Sequence, residues 1–253
     1  TRILHHFRDR PRMKTNTLIH WEGSILQVFF PNSCRACLVR ISDGRLLCAP
    51  CLELLMECVI PECEWPGRTP LGRMVTGQFY YRTGSPIRSI HRAAKFQADP
   101  DATRLLGELL GSRLRNRNCF PDIEICVPVP SHRTKIRARG INSTREIATH
   151  VASVLQIPCE THLLSRPRLT ASQSDVSGDA RAENVRGVFR AHSGKMKRVL
   201  LIDDVLTTGS TLDEAARVLE EKGYDVSLAV VAFRREMFRR TRNSQPASGN
   251  FRR

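Results

Sequence analysis

The chain reads as an α/β protein, with a mainly parallel twisted sheet flanked by helices and a small cysteine-bearing module in front of it. Three observations carry this. Two units of apolar strand, polar turn and amphipathic helix occur in succession, at 123–155 and 198–223. A further apolar strand pattern, Val226–Phe233, follows the second unit. Two CxxC pairs lie ten residues apart near the N-terminus. Strands alternating with helical patterns are the mark of a parallel sheet, because parallel strands need a crossover helix between them.

Arg198–Gly223 is the stretch around which the rest is organised. Val199–Ile202 is a β-branched apolar run too short for a helix, as a parallel strand buried on both faces requires. Asp203 and Asp204 follow, and then the hydroxyl-and-glycine turn Thr207, Thr208, Gly209, Ser210, Thr211. Leu212, Ala215, Ala216 and Leu219 recur at helical spacing, and Gly223 is placed to cap the helix end. Amides at a helix start have no internal partners and attract phosphate. Carboxylates beside them suit hydroxyl groups, or a magnesium ion bound through water. The unit therefore fits a ligand with a phosphate at one end and a ribose diol nearby. It resembles the phosphoribosyl-pyrophosphate (PRPP) motif of type I phosphoribosyltransferases, and no Walker-type lysine or GxGxxG competes with that resemblance.

The chain has 253 residues and 41% apolar residues, enough for one substantial core plus an appendage. Its 40 Lys and Arg against 25 Asp and Glu give a net charge of +15, which favours phosphates, nucleic acid or an acidic surface without choosing among them. Aromatics at 6% argue against a base-stacking platform. No apolar run is long enough to span a bilayer and no signal-type core opens the chain, so membrane insertion is not expected and a cytoplasmic location is.

Residues 1–17 read as a disordered extension. Leu18–Phe30 reads as a short packing helix closed by Pro31. Cys34, Cys37, Cys48 and Cys51 have the spacing of a structural zinc site, in which two tight turns each deliver two thiolates. Two disulfides or a redox pair share the spacing, but nothing marks an oxidising compartment. Cys58 and Cys63 lie close enough in sequence to replace one ligand pair, and Cys119, Cys126 and Cys159 read as buried apolar residues. The zinc-ribbon-like module then spans 18–64, with a linker at 65–75 and the main domain at 76–235. Within that domain Phe79–Tyr81 opens a strand or hairpin, and Ile87–Phe96 and Ala102–Leu114 form one or two amphipathic helices. Lys95 reads either as a phosphate contact or as a snorkelling surface lysine.

Ile123–Pro130 is the first core strand, and Ser131–Asn142 a basic loop with Gly140 at its turn. Ser143 and Glu146 fit a capping box opening the next helix. Leu164–Val188 is a long polar segment of the kind that forms a lid over a site or is disordered. Arg234–Arg253 is basic and aperiodic, and 236–253 reads as a disordered tail.

These stretches narrow the resemblance to the ComF competence-protein family, over about Leu18–Phe233. The carriers are the Val-Pro-x-Pro strand with Arg139-Gly140-x-Asn142, the Lys95-Phe96 run, and Thr170, Gln173, Arg181 and Asn184 in the long segment. The resemblance implies PRPP and magnesium as ligands. It places the 5-phosphate at Thr207–Thr211, the ribose hydroxyls at Asp203 and Asp204, and the pyrophosphate at Arg137, Arg139 and Gly140. Thr170, Gln173, Arg181 and Asn184 fall in the catalytic hood. It implies transfer of phosphoribosyl to a nitrogen nucleophile, or a single-stranded-DNA-binding role beside DNA-uptake machinery with PRPP as ligand or regulator. No N-terminal cysteine is present to act as a glutaminase nucleophile, so a full glutamine amidophosphoribosyltransferase is not expected.

Overall fold

The computed structural model describes residues 33–41, 45–61, 67–69, 71–167 and 186–234. The expected helix at Leu18–Phe30, the four hood residues and the basic tail lie outside them.

In chain order the elements are α1 (Ala49–Met56), β1 (Gly67–Arg68), β2 (Met74–Tyr81), α2 (Pro86–Phe96), α3 (Pro100–Asn116), β3 (Ile125–Pro128), α4 (Arg133–Arg139), α5 (Ser143–Leu155), β4 (Leu164–Ser165), β5 (Arg190–Ala191), β6 (Arg198–Leu206), α6 (Ser210–Glu220) and β7 (Asp225–Arg234). Five strands form one sheet in the order β1-β2-β7-β6-β3, and all pairs but β1–β2 are parallel. β4 and β5 form a separate antiparallel pair at the base of the long polar segment.

The sheet is covered on both faces, which explains its continuous apolar strands. Side chains alternate: Leu200 and Ile202 enter one core with α2, α3 and α5, while Val199 and Leu201 enter another with α6 and the β4–β5 pair. β7 divides in the same way, Ala229 and Val231 to the first core, Leu228 and Val230 to the second. Gly77 on β2 is required by packing, since a Cβ there would lie 2.1 Å from Cε2 of the buried Phe233 ring. Gly77→Ala is expected to cost about 1–3 kcal/mol through overpacking, read as a lower urea midpoint at unchanged slope.

Four expectations are corrected. The segment read as a linker carries β1 and opens β2, with Gly67 opposite Val75. Arg73 and Thr69 tie it to α6: Thr69 Oγ1 donates to buried Asp213 at 2.5 Å, and Arg73 pairs with Asp213 and Glu220. The basic loop contains helix α4, closed by Gly140 at φ 75°. The N-cap of α5 is Asn142, whose side chain accepts from the Arg145 amide, so Ser143 is the first helical residue. β6 continues through the acid pair to Leu206, because the long β7 still pairs with it there.

The cysteine module is continuous with the main domain. Cys34, Leu47, Cys51, Leu55 and Cys58 share one core cluster with Ile87, Ile90 and Ala94 of α2. Arg35, inside the first CxxC, bonds Asp99 Oδ2 at 2.5 Å, while Asp99 Oδ1 caps α3.

Candidate functional site

From β3 the chain runs through α5 to an edge segment beside β3, where the backbones of Cys126 and Cys159 pair as a single parallel β-bridge, both thiols free. From β6 it turns the other way, through α6 to β7. The loops after β3 and β6 therefore diverge and open a crevice at the carboxyl ends of the strands, where open α/β sheets bind ligands. A pocket of about 340 Å³ occupies it, and its walls include Asp203, Asp204, Thr207, Thr211, Arg139, Lys95 and Arg166. A larger cavity, about 660 Å³, lies at the opposite end of the sheet, where β3 and β6 begin. The smaller one holds the charged chemistry.

Strand alternation gives the adjacent carboxylates different surroundings. Asp204 has the parity of Leu200 and Ile202, which face the core that holds α2. There His91 Nε2 lies 3.0 Å from Asp204 Oδ2, and Lys95 Nζ is ion-paired with the same oxygen. Burial opposes ionisation of Asp204, but Lys95 and His91 outweigh it and hold the carboxyl well below the usual range. Asp203 has the opposite parity and lies on the side of Arg166, a residue next to β4 whose guanidinium sits 5.3 Å from the Phe189 ring. Burial, with the Asp204 charge adding to it, pushes Asp203 up to about 7. Pairing of β6 with β3 ends at Ile202, opposite Pro128. Asp203 Oδ1 accepts from the Asp204 amide at 2.8 Å, and Asp204 Oδ1 from the Val205 amide at 2.7 Å.

The turn after β6 is shaped for an anion. Gly209 is the N-cap of α6 at φ 83°, a conformation that favours glycine, and it offers no side chain to the first helical amides. Thr207 and Thr211 line the pocket; Thr208, Gly209 and Ser210 complete the turn between them. Of the basic residues on α4, Arg139 reaches the pocket, with its guanidinium over the Phe96 ring at 4.9 Å. Arg137 and Gly140 are exposed and do not line it. The sequence reading missed His91, Tyr81, Arg166 and Arg234, all on the pocket wall. His91 had a signal: it falls in the stripe Ile87, Ile90, His91, Ala94, the apolar face of α2.

Cys34, Cys37, Cys48 and Cys51 place their sulfurs within 4.8 Å of one another, so this four-cysteine cluster is able to bind a zinc ion. A tetrahedral zinc with sulfurs at about 2.3 Å needs sulfurs roughly 3.8 Å apart, and Cys37 Sγ and Cys48 Sγ stand at 3.6 Å. The second pair sits at a helix start, with Cys48 the N-cap of α1. Burial works to raise Cys34, yet amides of Cys37, Cys48 and Ala36 bring it down to about 6. Burial and the neighbouring sulfurs raise Cys51. Four thiolates this close need a cation to ionise together. Cys58 is not in the cluster; it is buried and its Sγ donates to the Leu54 carbonyl.

Residues 144–244 match the Phosphoribosyl transferase domain. The chain is 26% identical over 176 residues to Competence protein F of Haemophilus influenzae, covering 67% of this chain and 73% of that protein. It is 28% identical over 215 residues to DNA utilization protein YhgH of Escherichia coli K12, covering 76% of this chain and 92% of that one. Among solved structures it is similar to glutamine PRPP amidotransferase from B. subtilis, complexed with ADP and GMP, with a TM-score of 0.38 and 20% identity. That match covers 55% of this chain and 30% of the other, so the chain spans less than a third of that enzyme.

Proposed function

The chain belongs to the ComF family and has a phosphoribosyltransferase-type fold, and from that premise we propose that it binds PRPP with magnesium and transfers phosphoribosyl to a nitrogen nucleophile. The observation that supports this most is one crevice holding the acid pair, the uncapped start of α6 and Arg139 together.

In this reading the 5-phosphate rests on the Thr207–Thr211 turn, where backbone amides and the positive end of α6 favour it. Asp203 and Asp204 face the ribose hydroxyls. Arg139 takes the pyrophosphate, since a guanidinium fork matches paired phosphate oxygens. Arg137 and Gly140 stand outside the pocket wall, so their contact with pyrophosphate requires a closed state of α4. Asp203 offers hard carboxylate oxygens suited to a water-bridged magnesium. A magnesium ion held there would supply positive charge to the departing pyrophosphate. The new N–C bond forms as the anomeric C–O bond breaks, pyrophosphate departs with the electron pair, and the proton shed by the nitrogen passes to solvent. The acids stabilise the cationic carbon between them. The hood assignment of Thr170, Gln173, Arg181 and Asn184 rests on sequence alone. Zinc in the four-cysteine cluster is structural, because four thiolates leave no open position for chemistry.

Titration calorimetry with PRPP and magnesium tests the reading. A single saturable site is expected, and absence of binding overturns it. Arg139→Ala is expected to weaken PRPP about tenfold, the loss of one charge-assisted contact, and Arg137→Ala much less.

A second reading, single-stranded DNA binding beside uptake machinery, is favoured by the exposed Arg133 and Arg137 on α4 and by the names of the relatives, Competence protein F and DNA utilization protein YhgH. Salt-sensitive binding of single-stranded DNA without pyrophosphate release supports it. No helix among the described residues is long and apolar enough to cross a membrane; the cytoplasmic location belongs to the same proposal.

A further inference from the structure

Helix α2 presents two cationic-type side chains, one turn apart, to a single carboxylate oxygen. His91 Nε2 is 3.0 Å from Asp204 Oδ2, and Lys95 Nζ is ion-paired with it. Behind them Tyr81 Oη stands 3.3 Å from His91 Nδ1, with the two rings edge-on at 5.5 Å. The bonding is satisfied when Tyr81 donates to Nδ1 and the Nε2 proton is donated to Asp204. His91 and Asp204 are each 6% exposed. All four side chains line the pocket. None of the three besides Asp204 lies on the strand–turn–helix unit or on the basic segment.

We propose that His91 and Lys95 are positioning residues for the acid pair: His91 fixes the orientation of the Asp204 carboxylate, and Lys95 supplies the positive charge that lets two adjacent carboxylates stand in one anion-binding pocket. The inference rests on the PRPP reading and deepens it. Neighbouring carboxylates repel, and a ligand with a phosphate at one end and a pyrophosphate at the other adds negative charge to the same crevice. A cation held by the protein relieves this before the ligand arrives, and a divalent cation arriving with the ligand does the same from the other side. Lys95 and magnesium therefore share one electrostatic task. Removing the first raises the demand on the second.

The experiment measures PRPP affinity by calorimetry across a magnesium series, for the full chain and for Lys95→Met, Lys95→Arg, His91→Ala and His91→Gln. Lys95→Met is expected to weaken PRPP about tenfold or more at low magnesium, and high magnesium is expected to recover most of that loss. Lys95→Arg keeps the wild-type magnesium dependence. His91→Gln, whose amide can replace the Nε2 donor, binds better than His91→Ala. A Lys95→Met protein with unchanged affinity at every magnesium level overturns the proposal, as does a loss that magnesium does not recover, which makes Lys95 a direct phosphate contact. A measurement without ligand separates this from failure of the PRPP reading. Lys95→Met should lower the unfolding midpoint, and adding Asp204→Asn should restore part of it. Additive effects in that cycle overturn the pairing even if PRPP never binds.

Discussion

Asp203→Asn combined with Asp204→Asn is expected to abolish PRPP–magnesium binding in calorimetry, and the single substitutions are expected to part company in stability. Asp204→Asn leaves the Lys95 ammonium without its buried counter-charge, a loss on the order of 3 kcal/mol in the unfolding free energy. Asp203→Asn removes a carboxylate whose ionised form the fold disfavours. The sign follows from linkage: the native pKa, about 7, lies above the ordinary carboxylate value. The native state therefore binds the proton more tightly, and this group's contribution to stability is full at acid pH and lost as pH rises through about 7. Asp203→Asn should match or exceed wild-type stability above that point while losing affinity. Chemical denaturation at acid and alkaline pH checks this. Unchanged PRPP affinity in the double variant sinks the site assignment.

Removing metal is the second large effect. Chelation, or Cys37→Ser, is expected to lower the thermal midpoint by 10 °C or more (an order-of-magnitude estimate of roughly 3 kcal/mol or more of lost metal binding) and to broaden the transition. The reason is in the packing. Cys34 and Cys51 are buried in the same cluster as Ile87 and Ile90 of α2, and Arg35 ties the first CxxC to the cap of α3. Loss of an ion bound there is expected to loosen the face of the main domain on which α2 lies, so PRPP affinity should fall with it. Metal analysis of purified protein gives the direct check: well under one equivalent of zinc in a folded sample refutes a structural role.

Much of this was legible in the residues because physical periods are. The run Val199–Ile202, two acids, a glycine turn and a helical stripe announce β6, its turn and α6, though not that β6 runs on through the acids to Leu206. Helix α4 was not legible: it has seven residues, four of them basic, and too few apolar positions to trace a face. β1, at two residues, shows no alternation to read. The cap of α5 was displaced by one position because Asn142 and Ser143 are both good cap residues, and only the side-chain bond to the Arg145 amide decides between them. The roles of His91 and Lys95 depend on a contact across more than a hundred residues of chain, and no local pattern reports such a contact. What the sequence did offer was a histidine inside an apolar stripe. A polar side chain in that place must find a partner, and here the partner is Asp204.

The shared packing of the N-terminal cysteines with α2 bears on how such a chain can be inherited. A finger joined by a free tether can be shed or exchanged by recombination with little harm to its neighbour. This one cannot: a gene cut between the two parts would yield a main domain with an apolar scar along α2, prone to associate with its own copies. Descent should have kept the pair together as a single unit of selection, with substitutions at Leu55 or Ile90 answered from the other side of the seam.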